Sequence, residues 1–211
     1  MSELLGKITE SLIAGNVDGV SELTREALDG GSEAQDILEK GLLSGMDVVG
    51  QRFKANEMFI PEVLRCAKAM SGAMEILRPL LIEDGVAMVG SIVIGTVKGD
   101  LHDIGKNLVG MMFEGAGFEV INLGIDVDVQ QFVDAVKEHK PSIIGMSALL
   151  TTTMPKMGET VNALKEAGIR DQVKVMVGGA PVTTGFAEEI GADGYASNAA
   201  SAVDKGKELV G

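Results

Sequence analysis

Apolar side chains in residues 1–83 recur at spacings of three, four and seven, which is the spacing of one face of an α-helix. The predicted helices cover about residues 3–14, residues 17–29, a run from the capping box Ser32–Gln35 past Val49, and a run that follows Pro61 and passes Leu81. Four helices joined by short loops predict an antiparallel four-helix bundle over residues 1–85.

After residue 85 the pattern changes to short β-branched runs that alternate with helical segments. The predicted strands are Met88–Ile94, Glu119–Leu123, Ser142–Met146, Val173–Val177 and a short one near Tyr195. The predicted helices fall at about residues 105–116, 129–139, 152–167, 183–190 and 198–209. Five such units predict an α/β fold over residues 86–211, with a Rossmann-like (flavodoxin-like) parallel sheet and helices on both faces.

In parallel sheets of this kind, ligands bind beyond the carboxyl ends of the strands. The loops after strands 1, 3, 4 and 5 are therefore the candidate binding loops. The chain has no Gly-x-Gly-x-x-Gly after strand 1 and no Gly-x-x-x-x-Gly-Lys-Ser/Thr, so the two commonest phosphate-binding loops are not indicated.

Composition narrows the classes of function. The chain of 211 residues has 18 basic and 31 acidic residues, a net charge of −13, and only 3% aromatic residues. An acidic chain with few stacking side chains is a poor candidate for binding nucleic acid. One cysteine and two histidines exclude a disulfide framework and a multi-histidine metal centre.

No segment predicts membrane insertion or secretion. The N-terminus is too polar for a signal peptide, and the apolar run Val86–Val97 is shorter than the roughly 20 residues that span a membrane. We expect a soluble, cytoplasmic protein that contacts no membrane.

The loop after strand 1 contains the candidate chemistry. It holds glycines at positions 95, 99 and 105 and a histidine, His102, two residues after Asp100. A carboxylate at this spacing can accept a proton from one ring nitrogen and leave the other as a Lewis base. One imidazole cannot form a closed zinc site, but it can supply one axial ligand to a metal held by a macrocycle. The alternative is an ordinary surface or hydrogen-bonded histidine.

Three elements at fixed spacing resemble the signature of cobalamin-binding domains. Asp100-x-His102-x-x-Gly105 is followed after 41 residues by Ser147-x-Leu149, and after a further 28 residues by Gly178-Gly179. The bundle is also similar to the helical cap of methionine synthase and of corrinoid proteins of methyltransferase systems. Its matching segments are 45–53 and 58–64.

The resemblance implies a corrinoid bound base-off, with His102 as the lower axial ligand of cobalt. Asp100 would hold the other ring nitrogen, and Thr153 would complete a hydroxyl relay where the family usually has serine. Other cofactor-binding positions in the signature loop are Gly99, Leu101, Asp103 and Gly105. Positions that match the nucleotide tail site are Ser147, Leu149, Thr151, Gly178, Gly179, Asn198 and Ala199.

These same residues also have structural interpretations. A Gly-Gly pair after a strand is typical of a tight turn, and the hydroxyl run from Ser147 to Thr153 is typical of helix capping. In the cap, the resemblance places Phe53 and Ile60 over the upper face of the corrin, with Glu39 as an acidic residue facing it. Phe53 and Ile60 are equally consistent with the core of the bundle.

The resemblance implies a corrinoid methyl carrier that is inactive without its partners. Such a protein accepts a methyl group on cob(I)alamin from a substrate-specific methyltransferase. It then yields the group from methyl-cob(III)alamin to a second methyltransferase, whose acceptor is a pterin or a thiol. A reductive activation protein is the remaining expected partner.

Three alternatives remain at this point. A cobalamin-binding sensor shares the two-part layout but normally adds a basic DNA-binding module. The small subunit of an adenosylcobalamin mutase shares the signature but usually lacks the helical cap. A corrinoid-free flavodoxin-like signalling domain would not require the three-part motif.

Overall fold

The protein was analysed as a computed structural model that describes residues 2–86 and 88–211. Met1, in the predicted first domain, and Ala87, in the predicted second one, lie outside the described residues. The chain divides into a helical unit, Met1–Met88 with Glu114–Gly117, and a sheet unit, Val89–Phe113 with Phe118–Gly211.

The helical unit consists of helices that bury one apolar face each. Its elements are α1 (Ser2–Ile13), α2 (Val17–Asp29), α3 (Ala34–Asp36), a π-helical segment (Ile37–Leu43), α4 (Ser44–Lys54) and α5 (Ile60–Glu83). The helix predicted to start at the capping box is thus one helical run over residues 34–54, with π-helical turns in its middle.

The predicted cap of that run is wrong. The helix starts after Glu33, whose side chain makes no capping hydrogen bond. The Ser32 N–H donates instead to the carbonyl of Ala27, so that Ser32 closes α2.

The π-helical segment and the start of α4 pack closely on α1. A Cβ at Gly45 would lie 2.6 Å from the Leu12 side chain, and one at Gly41 would lie 3.2 Å from Ile8. The Thr9 hydroxyl on α1 donates to the carbonyl of Gly41 at 2.8 Å, which satisfies a backbone acceptor in the widened turns.

The sheet unit contains five parallel strands in the order β2-β1-β3-β4-β5. The strands are β1 (Gly90–Val97), β2 (Phe118–Val127), β3 (Ile143–Ser147), β4 (Lys174–Gly178) and β5 (Gly194–Ala196). The helices are α6 (Ile104–Gly115), α7 (Val129–His139), α8 (Pro155–Glu166), a short 3-10 helix (Arg170–Gln172), α9 (Thr184–Ile190) and α10 (Ala199–Val210). The predicted fold class, a helical bundle followed by a five-stranded parallel sheet, is confirmed.

Alternate residues of the strands fill two apolar layers. Ile144, Val175 and Val177 join a buried cluster with residues of α7, α8 and α9. On α10, Gly206 allows the Phe113 ring of α6 to approach so closely that a Cβ would lie 2.5 Å from it.

Some predicted boundaries differ from the structure. β1 extends to Val97, because the buried Thr96 and Val97 continue to pair with neighbouring strands. The loop after β1 is therefore only residues 98–103. α8 begins at Pro155, three residues later than predicted. None of the described helices combines the length and the hydropathy that a membrane span requires.

Candidate functional site

The strands that follow β1 in the chain lie on both sides of it in the sheet. From β1 the chain passes to β2 on one side, and it then returns to β3 on the other. The loops after β1 and β3, residues 98–103 and 148–154, therefore meet at the carboxyl edge, where such sheets form their ligand sites. Strand register places Thr96, Ser147 and Gly178 in one row at this edge.

Asp100 is the centre of the polar contacts between these two loops. Its side chain is fully buried. Oδ1 accepts from the His102 backbone N–H at 3.1 Å and faces His102 Nδ1 at 2.7 Å. Oδ2 accepts from the backbone N–H groups of Leu149 and Leu150, at 2.8 and 3.2 Å, and from the Thr153 hydroxyl at 2.8 Å.

These donors keep Asp100 ionised. Burial raises the pKa of the carboxyl, but the hydrogen bonds from His102, Leu149 and Thr153 outweigh this effect, so the net pKa lies well below its usual range. An ionised carboxylate is acceptor-only, so the proton of the short contact with His102 resides on Nδ1.

His102 is held by its backbone and by one ring nitrogen. Its carbonyl accepts the Thr96 hydroxyl at 3.0 Å, and its side chain remains 52% exposed. With the proton on Nδ1, Nε2 carries a lone pair that a ligand can use.

The two loops and the start of α6 also expose large apolar side chains. Leu101 and Ile104 are 67% and 75% exposed, and Leu149 and Leu150 are also exposed. A surface on which apolar side chains cluster beside one polar group is typical of a binding site.

The glycines of the signature loop differ in their structural role. Gly99 has φ of +84°, a backbone conformation that favours glycine. Gly105, in the first turn of α6, has no atom within 4 Å of the position of a Cβ. Nothing in the chain itself therefore requires glycine at position 105. Asp103 accepts a hydrogen bond from the Asn107 side chain at 3.0 Å.

Gly178 and Gly179 lie where β4 ends. A Cβ at Gly178 would lie 3.2 Å from the carbonyl oxygen of Ala196. Gly179 has φ of +129°, and a Cβ there would collide with the backbone of Ala148. The crossing of two chain segments is thus sufficient reason for glycine at 179.

The hydroxyl and amide side chains among the predicted site residues also differ in their structural roles. Thr153 is buried and bonds Asp100 rather than capping α8, whereas Thr151 lies in the exposed turn before that helix. Asn198 caps α10 by accepting from Ser201 N–H, and Ala199 is buried in its first turn. Asn198 therefore has a structural role of its own.

The three positions predicted for the upper face belong to the helical unit. Glu39 is exposed on the π-helical segment and accepts a hydrogen bond from the Gln35 side chain at 2.8 Å. Phe53, on α4, is partly buried, and Ile60, at the start of α5, is 43% exposed.

Sequence reasoning missed a set of polar residues beside the His102 loop. They are Asn122 and Asp126 on β2 and Lys106 on α6. Gly, Asn and Asp are depleted in regular strands, so Asn122-x-Gly124-x-Asp126 within a strand was the available signal.

The donor set suits a metal whose other ligands come from a macrocycle. Within residues 2–86 and 88–211, no group of three or more His, Cys, Asp or Glu side chains could hold a metal ion. One oriented imidazole, in loops that expose apolar side chains and with open space at the Cβ position of Gly105, fits a flat metal-containing ring.

Comparison with known proteins points to the same chemistry. Residues 90–204 and residues 4–78 each match a family model described as a B12 binding domain. A corrinoid protein of Desulfitobacterium hafniense (strain Y51) is 44% identical over 211 residues, which covers 99% of this chain and 98% of that protein. Dimethylamine corrinoid protein 1 of Methanosarcina acetivorans is 44% identical over 209 residues, with the same coverage.

Two solved structures share the whole architecture. A chain of the methanol:cobalamin methyltransferase complex from Methanosarcina barkeri matches with a TM-score of 0.88 and 30% identity, covering 99% of this chain and 80% of that one. A cobalamin-binding protein from Desulfitobacterium hafniense DCB-2 matches with a TM-score of 0.81 and 37% identity, covering 98% of both chains.

Proposed function

The chain belongs to the family of corrinoid proteins built on B12 binding domains, and we propose from that premise that it carries methyl groups between two methyltransferases. The B12 binding domains and the corrinoid relatives support corrinoid binding, and the matched complex supports a place in a methyltransferase system.

His102 is the lower axial ligand in this proposal. The observation that supports it is the 2.7 Å contact of Nδ1 with Asp100, which leaves Nε2 of the half-exposed ring as the nitrogen available to a ligand. When bound, the corrinoid cobalt supplies the methyl-transfer chemistry by accepting a methyl group and yielding it again.

Asp100 and Thr153 orient the ligand and hold its proton. The buried carboxylate fixes the ring and the tautomer of His102. The Thr153 hydroxyl lies within 3 Å of both Asp100 Oδ2 and the Leu150 carbonyl, so its single hydrogen can turn from one acceptor to the other. The carboxylate can thereby strengthen or relax its hydrogen bond with Nδ1 when the ligation of His102 changes.

The rest of the carboxyl edge offers a surface for the ring and its tail. Gly99, Leu101, Asp103 and Gly105 line the loop, and Leu149 faces them from the β3 side. Beyond them, the row from Ser147 to Gly178, together with Thr151, Gly179, Asn198 and Ala199, is the proposed site of the nucleotide tail.

The helical unit would shield the reactive side of the corrin. Phe53 and Ile60 supply apolar surface that excludes water, and Glu39 supplies a carboxylate. Three partners are proposed: a substrate-specific methyltransferase, a second methyltransferase with a pterin or thiol acceptor, and a protein for reductive activation. The methyltransferase of the matched complex supports the first of these.

Anaerobic reconstitution with hydroxocobalamin tests the ligation. The protein is labelled with ¹⁵N-histidine, loaded and reduced to the paramagnetic cobalt(II) form. In its electron paramagnetic resonance spectrum, ligation by His102 should split each line into a doublet, whereas the cofactor's own ¹⁴N base would give triplets. His102→Ala should remove the doublet, whereas His139→Ala, at the exposed end of α7, should retain it. A doublet that persists in His102→Ala would overturn the assignment.

Methyl carriage is tested with radiolabel. The corrinoid-loaded protein is first reduced to the cobalt(I) state with a low-potential chemical reductant. It is then incubated with a ¹⁴C-methylamine substrate and its copurifying methyltransferase, and separated by gel filtration. Label should remain with the loaded protein and leave it on addition of the second methyltransferase and its acceptor. Absence of label on the loaded protein would contradict the carrier role.

A further inference from the structure

The carboxyl half of β2 departs from regular strand geometry beside the His102 loop. Register with β1 slips by one residue after Asn122 and again after Gly124. Gly124 and Asp126 both have positive φ, +85° and +55°. Bulges of this kind turn side chains out of the alternating pattern and occur beside functional sites.

Asp126 forms hydrogen bonds with the beginning of the loop. Its Oδ1 accepts from the Gly99 backbone N–H at 2.8 Å, and its Oδ2 accepts from Lys98 Nζ at 3.0 Å. Its own N–H donates to the Asp100 carbonyl at 3.1 Å. Three consecutive residues just before His102 are thus tied to one residue of β2.

Asn122 forms hydrogen bonds at the other end of the loop, where α6 begins. Its Oδ1 accepts from Lys106 Nζ at 2.8 Å and from the Gly124 backbone N–H at 3.0 Å. The Lys106 side chain is buried and donates to Asn107 Oδ1 as well, at 2.6 Å. The first turn of α6, which follows His102, is thereby joined to the same strand.

We propose that Asn122 and Asp126 are positioning residues that hold the segment 98–107 at both ends and so set the place of the His102 ring. Both residues lie in the part of β2 where the register with β1 slips. The role as a support for metal ligation rests on the proposed function, whereas the ordering of the loop does not depend on it.

The backbone of Asp126 explains the choice of residue. Aspartate and asparagine tolerate a left-handed φ better than other non-glycine residues do. Asp126→Gly retains the backbone conformation and the N–H that bonds Asp100, and it removes only the carboxylate. Asp126→Asn retains an acceptor for Gly99. Glu119→Gln, an exposed carboxylate at the start of β2, is the matched control.

The first experiment uses the corrinoid-free protein. Hydrogen exchange is measured at the His102 and Leu149 amides, which bond Asp100 and make no contact with Asp126. We expect Asp126→Gly and Asn122→Ala to speed their exchange about ten-fold, with Asp126→Asn intermediate. Glu119→Gln should leave the rates unchanged. Unchanged rates in Asp126→Gly, or equal acceleration throughout the sheet unit, would overturn the proposal.

The second experiment titrates the same variants with hydroxocobalamin. Asp126→Gly should bind at least about ten-fold more weakly and lose part of the ¹⁵N-histidine doublet, because loss of residues that support a metal ligand costs this much. Absence of the doublet in the wild-type protein would refute ligation by His102 and leave the exchange result standing. A wild-type doublet, with identical affinity and doublet intensity in Asp126→Gly, would refute the positioning role alone.

Discussion

Thr153 and Asp100 lie 53 residues apart in the chain, and the Thr153 hydroxyl donates to Asp100 Oδ2 at 2.8 Å. The same oxygen accepts two backbone N–H groups, while the other oxygen faces His102. The carboxylate thus joins the loop that follows β3 to the histidine that follows β1.

Removal of the Thr153 hydroxyl should lower the free energy of unfolding without altering the fold. Thr153→Val leaves one oxygen of a buried, charged acceptor with fewer donors, and we expect a loss of about 1.5–3 kcal/mol in the free energy of unfolding. Thr153→Ser should lose much less. Urea denaturation of the corrinoid-free proteins measures both, and equal stability of the Val and Ser variants would contradict the role of the hydroxyl.

A single substitution at Gly105 should stabilise the protein and weaken its binding of the cofactor. Because no atom lies near the position of its Cβ, Gly105→Ala should stabilise the corrinoid-free protein by up to about 1 kcal/mol through helix propensity. The added methyl should weaken hydroxocobalamin binding. Gly110→Ala, on the same helix, should leave affinity unchanged. Undiminished affinity in Gly105→Ala would mean that no ligand approaches this turn.

Gly179 should be required for folding. Gly179→Ala combines a left-handed φ with a collision against the Ala148 backbone, and we expect a loss of about 3 kcal/mol or more. Gly178→Ala should cost less, since its Cβ would lie 3.2 Å from a single carbonyl oxygen. Thermal unfolding of the two variants compares them, and an equal loss would contradict the argument.

Lys106 should give a pH-dependent contribution to stability. Burial lowers the pKa of its amine and nearby Asp103 raises it, with a net pKa below the usual 10.5. The unfolded chain therefore binds this proton more tightly, so the free energy of unfolding should rise with pH from the lowered pKa up to about 10.5.

Comparison with Lys106→Met isolates this contribution. The difference in unfolding free energy, wild type minus variant, should increase as the pH rises toward about 10.5 in urea titrations. A difference that is flat or falls over this range would show that the amine is not penalised by burial.

Removal of the Thr24 hydroxyl should stabilise the protein. Its Oγ1 is buried in the helical unit without a hydrogen-bond partner among the described residues. Thr24→Val should raise the free energy of unfolding by about 1 kcal/mol, because an unsatisfied polar atom is removed. Thr160→Val, which loses a 2.8 Å bond to the Lys156 carbonyl, should not gain stability. A less stable Thr24→Val protein would contradict the prediction.

Local sequence signals were sufficient for the fold. The alternation of strands and helices predicted the parallel sheet, and Asp128 caps α7 with Gln131 as its spacing indicates. These signals did not predict features that depend on residues distant in the sequence. The π-helical turns depend on close packing of Gly41 against α1, and Ser32 joins the end of α2.

The site was only partly accessible to the same reasoning. The spacing of Asp100 and His102 predicts their contact, because two residues are within reach of each other. Leu149 and Leu150 contribute backbone N–H groups, which any residue could supply and which no sequence pattern can identify. Asn122 and Asp126 depend on two slips of register between strands, which are set by pairing and not by local preference.

The position of the Asp100 donors has a consequence for the order of folding. Three of its partners arrive with β3, about fifty residues later in the chain, so the carboxylate stays hydrated until β3 has paired with β1. A nascent or partly folded chain therefore lacks the three donors that fix this carboxylate and, through it, the His102 ring. Competence to bind the cofactor should appear only once the centre of the sheet has assembled.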